Sequence, residues 1–417
     1  MCPVCETSRR IVISGVGLVS PLGHSAPQTF RALLAGRTIG ERVKSLGSNP
    51  DPVTLAAAAG GVSMAKHCAT DPTVDLAEWA AREALGDAGL TSDGLDCVIG
   101  ASKGAVQALT TAWAKHTNPH ALRKLTLGPV PSPVPRDCEL AVALGPHGYL
   151  AHHLRRRMRL GQVTNVVAAC ASALVAVHKA RTILLNHNHI SGRRSILVVT
   201  SEAALLPAFI ASYHRLGVLS PLTVQGFAGR PLDGHRCGFM LCEVGAAVVL
   251  EVTEQPSPGQ VELCNTAVTT DGYDVIRTSP SMESVGQIAA RFLSNGPIDV
   301  LHPHATGTID HDPCELAAFA RNMGSKHSVQ ATDVYAVKGA IGHGLGSGGL
   351  VSLVIAVLCA LFNRRPPMPW LNDPIQTPFR LHPAEVSLKP YARHAVFSAG
   401  FGGHAAGALI CRTPNMG

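Results

Sequence analysis

The chain has 417 residues, of which 46% are hydrophobic and 15% are charged, and its formal net charge is +7. This apolar fraction supports a large buried core and excludes a disordered or coiled-coil protein as a first interpretation. The modest positive charge and the 4% of aromatic residues disfavour a nucleic-acid surface built on base stacking. We therefore expect a compact α/β protein without a nucleic-acid partner.

The 12 cysteines are scattered along the chain without the rhythm of a disulfide framework. We interpret them as reduced thiols of a cytoplasmic protein. Cys2 and Cys5 form a CxxC, but no second ligand pair follows at zinc-finger spacing, so we predict no metal site. No signal-peptide pattern is recognised at the start. The longest apolar run, residues 350–362, is predicted to be a core helix rather than a membrane span.

Strands and helices alternate through the first part of the chain. Strands are predicted over 10–17, 96–100, 166–170, 195–202 and 245–252, and helices over 25–36, 74–88, 103–115 and 173–184. Residues 117–148 contain six prolines and are predicted to form a long loop with short helical pieces. The basic segment 152–159 is either a solvated helix face or a contact for an anionic partner.

The Pro/Gly-rich segment 254–259 is predicted to separate two halves, residues 1–254 and 255–417. In the second half, strands are predicted over 261–268, 298–302, 334–337, 395–398 and 407–410, and helices over 281–294, 314–322 and 347–362. Segments 166–184 and 334–358 share the order strand, small-residue turn, apolar helix. Halves duplicated about a pseudo-two-fold axis would bring these two turns together.

Cys170 stands at the first of these turns, among alanines and a serine in the sequence AACASA. A cysteine at the start of a helix lies beside unpaired N–H groups, which would favour its thiolate. The small neighbours would leave room for a substrate. The alternative interpretation is a buried, inert cysteine, which is a common state of this residue type.

Two histidine-bearing segments strengthen the catalytic interpretation. His302 and His304 follow a predicted strand, at the edge of a parallel sheet where ligands gather. Lys338 and His343 share a glycine-rich turn, and residues 400–403 (GFGG) could present backbone N–H groups to a ligand. One cysteine and two histidines at strand ends are less easily explained as isolated structural residues.

Together these stretches resemble the β-ketoacyl synthase family, the condensing enzymes of fatty acid and polyketide synthesis, and most closely its type II members with a Cys-His-His site. The resemblance covers nearly the whole chain and rests on the following segments, in the family's order: RRIVISGVGLVSPLG, AACASA, RPLDGHRCGFMLCEVGAAVVLE, PHATGTIDHDPCE, VKGAIGHGLGSGG and SAGFGGHAAG. It implies an α/β, thiolase-like fold with duplicated βαβαβαββ halves in five α-β-α-β-α layers, usually as a homodimer.

The resemblance also implies an acyltransferase activity, the decarboxylative Claisen condensation of an acyl thioester with malonyl-acyl carrier protein. Cys170 would take the acyl group from the carrier as a covalent intermediate. The malonyl thioester would then lose CO₂, and its carbanion would attack the acyl-cysteine. Acyl carrier protein is the implied partner, and its phosphopantetheine arm carries the substrates, so no separate cofactor is expected.

Further roles follow from the resemblance. His304 and His343 match the two active-site histidines that stabilise the enolate, with His302 as the rival of His304. Lys338 matches the family's lysine and is expected to pair with Glu315, because an unpaired buried lysine would be unfavourable.

Phe401 matches the residue that gates the acyl pocket, and its N–H would form the oxyanion hole with that of Cys170. Arg123, Lys124 and Arg215 lie where the family places basic contacts for the acidic carrier protein. Surface solvation is the alternative explanation for these three basic residues.

The chain departs from the family pattern at His404, Cys237 and Cys242, which points to an unusual acyl substrate in a specialised lipid or polyketide pathway. One alternative function is a non-catalytic partner subunit of chain length factor type in a heterodimer, which the presence of Cys170 disfavours. Thiolase-type cleavage is disfavoured because no second cysteine motif precedes GFGG. A dinucleotide site at 344–349 is disfavoured because no acidic strand end follows at the required distance.

Overall fold

The computed structural model describes residues 9–43, 51–62, 71–117, 138–186, 195–220, 229–323 and 330–414. Within them the strands are β1 (Arg10–Val19), β2 (Cys97–Gly100), β3 (Val163–Val166), β4 (Ser195–Glu202), β5 (Val244–Thr253), β6 (Val261–Thr270), β7 (Val300–His302), β8 (Asp333–Val334), β9 (Arg364–Arg365), β10 (Val386–Ser387), β11 (Arg393–Gly400) and β12 (His404–Arg412). The helices are α1 (Ala26–Leu34), α2 (Pro52–Gly60), α3 (Pro72–Ala88), α4 (Val106–Thr117), α5 (Cys138–Met158), α6 (Ser172–Leu185), α7 (Pro207–Arg215), α8 (Glu283–Leu293), α9 (His311–Asn322), α10 (Lys338–Ile341) and α11 (Gly348–Phe362).

Ten strands form one sheet in the order β3-β2-β4-β5-β1-β6-β12-β11-β7-β8. Strands β1 and β6 meet at the centre through a short antiparallel pairing of Val12 with Glu262 and Ile13 with Val261. Outward from this seam both halves repeat the same pattern of two antiparallel pairings followed by two parallel ones. The predicted boundary at residue 254 falls in the turn between β5 and β6.

Two apolar helices lie between the halves. Helix α6 contacts β2 and β4 of the first half and β6 and β12 of the second, and α11 contacts both α6 and strands of both halves. Helix α3 covers the outer face of the first half, and α8 covers that of the second. This gives the five-layer arrangement implied by the resemblance, with the start of α6 at the centre of the molecule.

Helix α11 and the 3₁₀ turn before it are long and apolar enough to cross a bilayer, judged by length and composition alone. However, 89% of this segment, Leu345–Phe362, is buried inside the fold. Its apolar side chains pack against strands of both halves, so in this structure it is a central helix of the core.

Helical structure in the proline-rich segment is longer than the short pieces predicted, because α5 begins at Cys138 and passes through a kink at Gly145, whose φ of 66° allows the chain to turn before Pro146. Residues 118–137 of this segment are outside the described residues. One prediction of local structure is wrong. The strand predicted to reach Cys170 ends at Val166.

In the basic segment 152–159, Arg157 forms ion pairs with Asp75 at 2.6 Å and Glu78 at 3.0 Å. This side chain therefore stabilises the fold.

Candidate active site

Cys170 lies in a tight turn between β3 and α6. The preceding residue, Ala169, adopts a φ of 47°, a left-handed conformation that is sterically unfavourable for alanine. The Ser172 hydroxyl accepts the Ala168 N–H at 2.9 Å and donates to the Ala169 carbonyl at 2.6 Å. These two hydrogen bonds hold the strained turn, which presents the half-buried Cys170 side chain at the N-terminus of α6.

The second half of the chain supports this turn from β11. The Ser398 hydroxyl donates a hydrogen bond to the Cys170 carbonyl over 3.0 Å. Gly400, at the end of the same strand, packs against the backbone of residues 168–170. The glycine-rich segment 400–403 therefore lies next to the cysteine, at the junction of the two halves.

Cys170 opens into a cavity of about 1340 Å³. Four of the other candidate site residues line the same cavity: His304, His343, Phe401 and Arg215. The Arg215 side chain is exposed to solvent. Lys338 and Glu315 lie behind the histidines, 5% and 1% exposed, and Arg123 and Lys124 are outside the described residues.

The two cavity histidines face each other edge to face. The ring centroids of His304 and His343 are 5.4 Å apart, and their planes cross at 81°. Burial, reinforced by the charge of Lys338, holds the pKa of each imidazole well below its usual value. Both rings are therefore neutral at pH 7, and a neutral imidazole offers one N–H donor and one lone pair.

Glu315 and Lys338 both hold the backbone at His304. One Glu315 oxygen accepts the His304 N–H at 2.7 Å, and the other accepts the Ala305 N–H at 2.8 Å. The Lys338 ammonium donates to the His304 carbonyl. Among the described residues the expected direct ion pair between Lys338 and Glu315 is not formed within 4 Å. The carboxylate instead acts at longer range: burial lowers the pKa of Lys338 to about 8, and Glu315 opposes this shift.

The pKa of the Cys170 thiol is higher than its place at a helix terminus led us to expect. Burial raises the pKa of Cys170 to about 11, and the positive charge of Lys338 only partly opposes this effect. Desolvation of the sulfur thus acts against the favourable effect expected of the helix start and of nearby positive charge. At neutral pH the nucleophile is a thiol that must lose its proton during the reaction.

His302, the rival of His304, has a different environment. Its Nε2 lies 3.1 Å from Nδ1 of His394 on the neighbouring strand β11, and both side chains are buried. His302 is absent from the described lining of the cavity, whereas His304 is part of it. The two histidines of the HPH sequence therefore point to different parts of the structure.

Two residues of the cavity region were not singled out in the sequence. His311, the first residue of α9, lines the cavity, and its ring centroid is 5.1 Å from that of His304. Glu202 is buried behind Cys170, where one of its oxygens accepts hydrogen bonds from Ser102 and Lys103. The four-residue spacing between His311 and Glu315 on one helix was the available signal for the first of them.

Two of the departures from the family pattern bear on this site. Cys237 lines the cavity, and the N–H of Cys242 donates to the His343 carbonyl at 3.2 Å. His404 begins β12, directly after the glycine-rich segment.

The described residues also contain one group of side chains with metal-ligand chemistry outside the cavity. The ligand atoms of Glu262, Cys264 and Cys411 lie within 4.8 Å of one another. Arg10 hydrogen-bonds both carboxylate oxygens of Glu262, however, and its charge disfavours a cation there. Cys2 and Cys5 are outside the described residues.

Family models match both halves of the chain. The model described as "Beta-ketoacyl synthase, N-terminal domain" covers residues 8–255, and "Beta-ketoacyl synthase, C-terminal domain" covers residues 261–368. Among curated relatives, 3-oxoacyl-[acyl-carrier-protein] synthase 2 of Coxiella burnetii is 26% identical over 88% of this chain and 89% of its own length. The granaticin polyketide putative beta-ketoacyl synthase 1 of Streptomyces violaceoruber is 28% identical over the same shares of the two chains, 88% and 89%.

Solved structures agree on the fold. A beta-ketoacyl synthase from Burkholderia phymatum superposes with a TM-score of 0.75 at 22% identity, covering 97% of this chain and 100% of its own. A type II polyketide ketosynthase, solved in complex with its acyl-carrier protein and bound to the hexaketide, gives a TM-score of 0.75 at 19% identity over 97% and 99% of the two chains. The ishigamide ketosynthase/chain length factor gives 0.71 at 21% identity over 97% and 99%. The fold is thus that of the ketosynthases, which is thiolase-like.

Proposed function

Because the chain belongs to the β-ketoacyl synthase family of acyltransferase-type condensing enzymes, we propose that it is a catalytic ketosynthase that condenses an acyl thioester with malonyl-acyl carrier protein. The observation that carries this proposal is the lining of one cavity by the thiol of Cys170 and the neutral imidazoles of His304 and His343. A nucleophile and two N–H donors are the groups that this chemistry requires.

In the first half-reaction the sulfur of Cys170 attacks the carbonyl of the incoming acyl thioester. The bond between the carbonyl and the pantetheine sulfur breaks, and the proton of the Cys170 thiol ends on the departing pantetheine thiol. A neutral imidazole of the cavity can accept this proton and pass it on. The N–H groups of Cys170 and Phe401 are the proposed donors to the carbonyl oxygen in the transition state.

In the second half-reaction the malonyl thioester loses CO₂, and the electron pair of the broken C–C bond forms an enolate. We assign His304 and His343 as the N–H donors to the enolate oxygen, because their rings are neutral and held by their backbones. The enolate carbon then attacks the acyl group on Cys170. A new C–C bond forms, the C–S bond breaks, and the released Cys170 thiolate takes up a proton from solvent water.

Partners and cellular location belong to the same proposal. One solved relative is described in complex with its acyl-carrier protein, and another as a ketosynthase/chain length factor. For this chain we propose an acyl carrier protein as partner, a homodimer in the cytoplasm as the functional form, and contact with the carrier through the exposed Arg215. No cofactor or metal is proposed beyond the carrier's phosphopantetheine.

The second candidate function is a chain length factor-type partner subunit. It is favoured only by the likeness to the ishigamide assembly, at 21% identity. The cavity of this chain retains Cys170 beside both histidines, which supports the catalytic proposal.

The curated relatives include both a 3-oxoacyl-[acyl-carrier-protein] synthase and polyketide β-ketoacyl synthases. The cavity-lining Cys237, a departure from the family pattern, favours a specialised acyl substrate.

The test is incubation with a panel of acyl-carrier protein thioesters, followed by intact mass spectrometry and addition of the malonyl carrier. We expect an acyl adduct that is absent in Cys170→Ala and is discharged as a β-ketoacyl product by the malonyl thioester. The mass of the adduct identifies the preferred acyl chain. Absence of an adduct with every donor, on folded protein, would overturn the catalytic proposal in favour of the partner subunit.

A further inference from the structure

His311 adds a third imidazole to the cavity. Its ring centroid is 5.1 Å from that of His304, and the two planes cross at 71°. Its side chain is 12% exposed, and it is the first residue of α9. The two half-reactions proposed for Cys170, His304 and His343 do not use this imidazole.

The charge environment of His311 differs from that of the other two cavity histidines. Its Nε2 lies 3.5 Å from a carboxylate oxygen of Glu315, an ion-pair contact that lacks the geometry of a hydrogen bond. Burial acts to lower the pKa of His311, but the Glu315 carboxylate outweighs it and raises that pKa above the usual value. No carboxylate of the described residues makes such a contact with the rings of His304 and His343, and burial lowers the pKa of both. The cavity therefore combines two neutral imidazoles with one that favours the cationic form.

The contact with Glu315 uses only one edge of the His311 ring. The other nitrogen, Nδ1, makes no hydrogen bond to any described residue, and the ring lines the cavity. An imidazolium donates through both nitrogens, so Nδ1 can bind an anion that enters the cavity. The start of the twelve-residue helix α9 adds positive potential at the same place.

We propose that His311 is a substrate-binding residue of the second half-reaction, which recognises the free carboxylate of the malonyl thioester through Nδ1. This inference rests on the proposed function, because it assigns a group to the second substrate of that reaction. The free carboxylate is the feature that distinguishes the malonyl thioester from the acyl thioester that loads Cys170. A cationic donor next to His304 would hold this carboxylate close to the imidazole that donates a hydrogen bond to the enolate oxygen.

The step balances without any chemical change at His311. The C–C bond to the carboxylate breaks, its electron pair becomes the enolate, and the carboxylate departs as neutral CO₂. The proton of His311 stays on the imidazole throughout. As the negative charge moves from the carboxylate to the enolate oxygen, it moves from His311 toward His304 and His343. CO₂ carries no charge, so His311 does not retain it.

The experiment compares the wild-type enzyme with His311→Asn and His311→Gln, and uses His24→Asn as a matched control at an exposed histidine outside the cavity. Loading of Cys170 by an acyl carrier thioester is followed by intact mass, and CO₂ release is followed against malonyl-carrier concentration. We expect the KM for the malonyl carrier to rise about tenfold or more, the loss typical of a charge-assisted hydrogen bond. Acyl loading should change less than about twofold, and His24→Asn should match the wild type.

A second measurement starts from a comparison on the wild type alone, which does not depend on the variants being folded. Non-hydrolysable amide analogues of malonyl- and acetyl-pantetheine are compared as inhibitors of the wild-type enzyme, and the malonyl analogue should bind about tenfold more tightly or better. In the variants this preference should fall close to one. Equal binding of the two analogues by the wild type, or equal losses in loading and in malonyl KM, would overturn the inference. A wild type that neither loads nor releases CO₂ would instead contradict the proposed function.

Discussion

Gly400 and Cys170 pack backbone to backbone: a Cβ atom on Gly400 would lie 3.0 Å from the Cys170 amide nitrogen and 3.0 Å from the Ala168 carbonyl oxygen. This contact joins the end of β11 in the second half to the catalytic turn in the first. Since the turn is already strained at Ala169, it has little freedom to move away. A side chain at position 400 would therefore displace the nucleophile.

We predict that Gly400→Ala reduces acyl loading of Cys170 by at least tenfold and lowers the free energy of unfolding by about 1–3 kcal/mol. Intact mass spectrometry and chemical denaturation measure the two effects. Gly86→Ala is the matched control, because a Cβ atom there meets nothing within 4 Å and lies in helix α3. This control should load normally and be equally or more stable. Normal loading by Gly400→Ala would show that the contact does not position the cysteine.

Removing the cavity histidines should separate the two half-reactions. We predict that His304→Ala and His343→Ala each reduce malonyl decarboxylation about 100-fold or more, the usual loss for an oxyanion donor. Acyl loading should fall much less, since the nucleophile and the other neutral imidazole, which can accept its proton, remain. Release of CO₂ and the acyl adduct are measured on the same samples. His302→Asn is the control: its ring pairs with His394, so stability should fall while decarboxylation by the folded protein persists.

Much of the site could be predicted because its residues occur in short segments at strand ends. Cys170 and His343 stand in small-residue turns after a strand, and the repeated order of elements indicated that these two turns would meet. That order predicted a duplicated α/β chain, whereas the five-layer, thiolase-like arrangement and the role of His304 were implied by the resemblance to the β-ketoacyl synthases. The length of the helix that begins in the proline-rich segment was not predicted, because the tolerance of Pro146 depends on the local φ of Gly145.

The remaining features depend on three-dimensional burial, which the order of residues does not reveal. The pKa of Cys170 reflects desolvation by burial together with the charges of Lys338, Lys103 and Glu202, none of which adjoins it in the sequence. Glu315 bonds to backbone N–H groups near His304 rather than to Lys338, a choice decided by the path of the backbone. His311 gains its environment from the orientation of α9 against the cavity, so its sequence context alone did not distinguish it.

The raised pKa of Cys170 predicts an unusual pH dependence of alkylation. With a pKa of about 11, the thiolate fraction is small at pH 7 and rises about tenfold per pH unit. The rate of iodoacetamide labelling at Cys170 should therefore still increase between pH 8.5 and 9.5, where an unperturbed thiol levels off. Peptide mass mapping assigns the site, and Cys170→Ser gives the background. A plateau near pH 7 would mean that the helix start and Lys338 overcome burial.

Lys338 should influence the same measurement, because its charge acts on Cys170 against burial. We predict that Lys338→Met raises the pKa of the thiol further and slows labelling at pH 8 relative to the wild type. Lys389, which is paired with Asp299 at 2.6 Å on the surface, provides a matched control as Lys389→Met. Equal rates in the wild type and Lys338→Met would contradict an electrostatic role of Lys338 at the sulfur.

Glu315 should be among the residues most important for stability of the site. Its carboxylate is 1% exposed, accepts the N–H groups of His304 and Ala305, and balances two nearby cationic groups. Glu315→Gln removes the charge and turns one acceptor into a donor that faces a backbone N–H. We predict a loss of about 3 kcal/mol in the free energy of unfolding, as for other buried charges left without a partner. Urea denaturation with an unchanged m-value measures it.

Two further variants show whether this loss arises from charge. Glu41→Gln, at a partly exposed ion pair with Arg37, should change stability by no more than about 0.5 kcal/mol. The double variant Glu315→Gln with Lys338→Met removes both buried charges, so it should be less destabilised than the sum of the single variants. Strict additivity would mean that the two side chains support the His304 backbone independently. In that case the hydrogen bonds, and not the electrostatic balance around them, would hold His304 in the cavity.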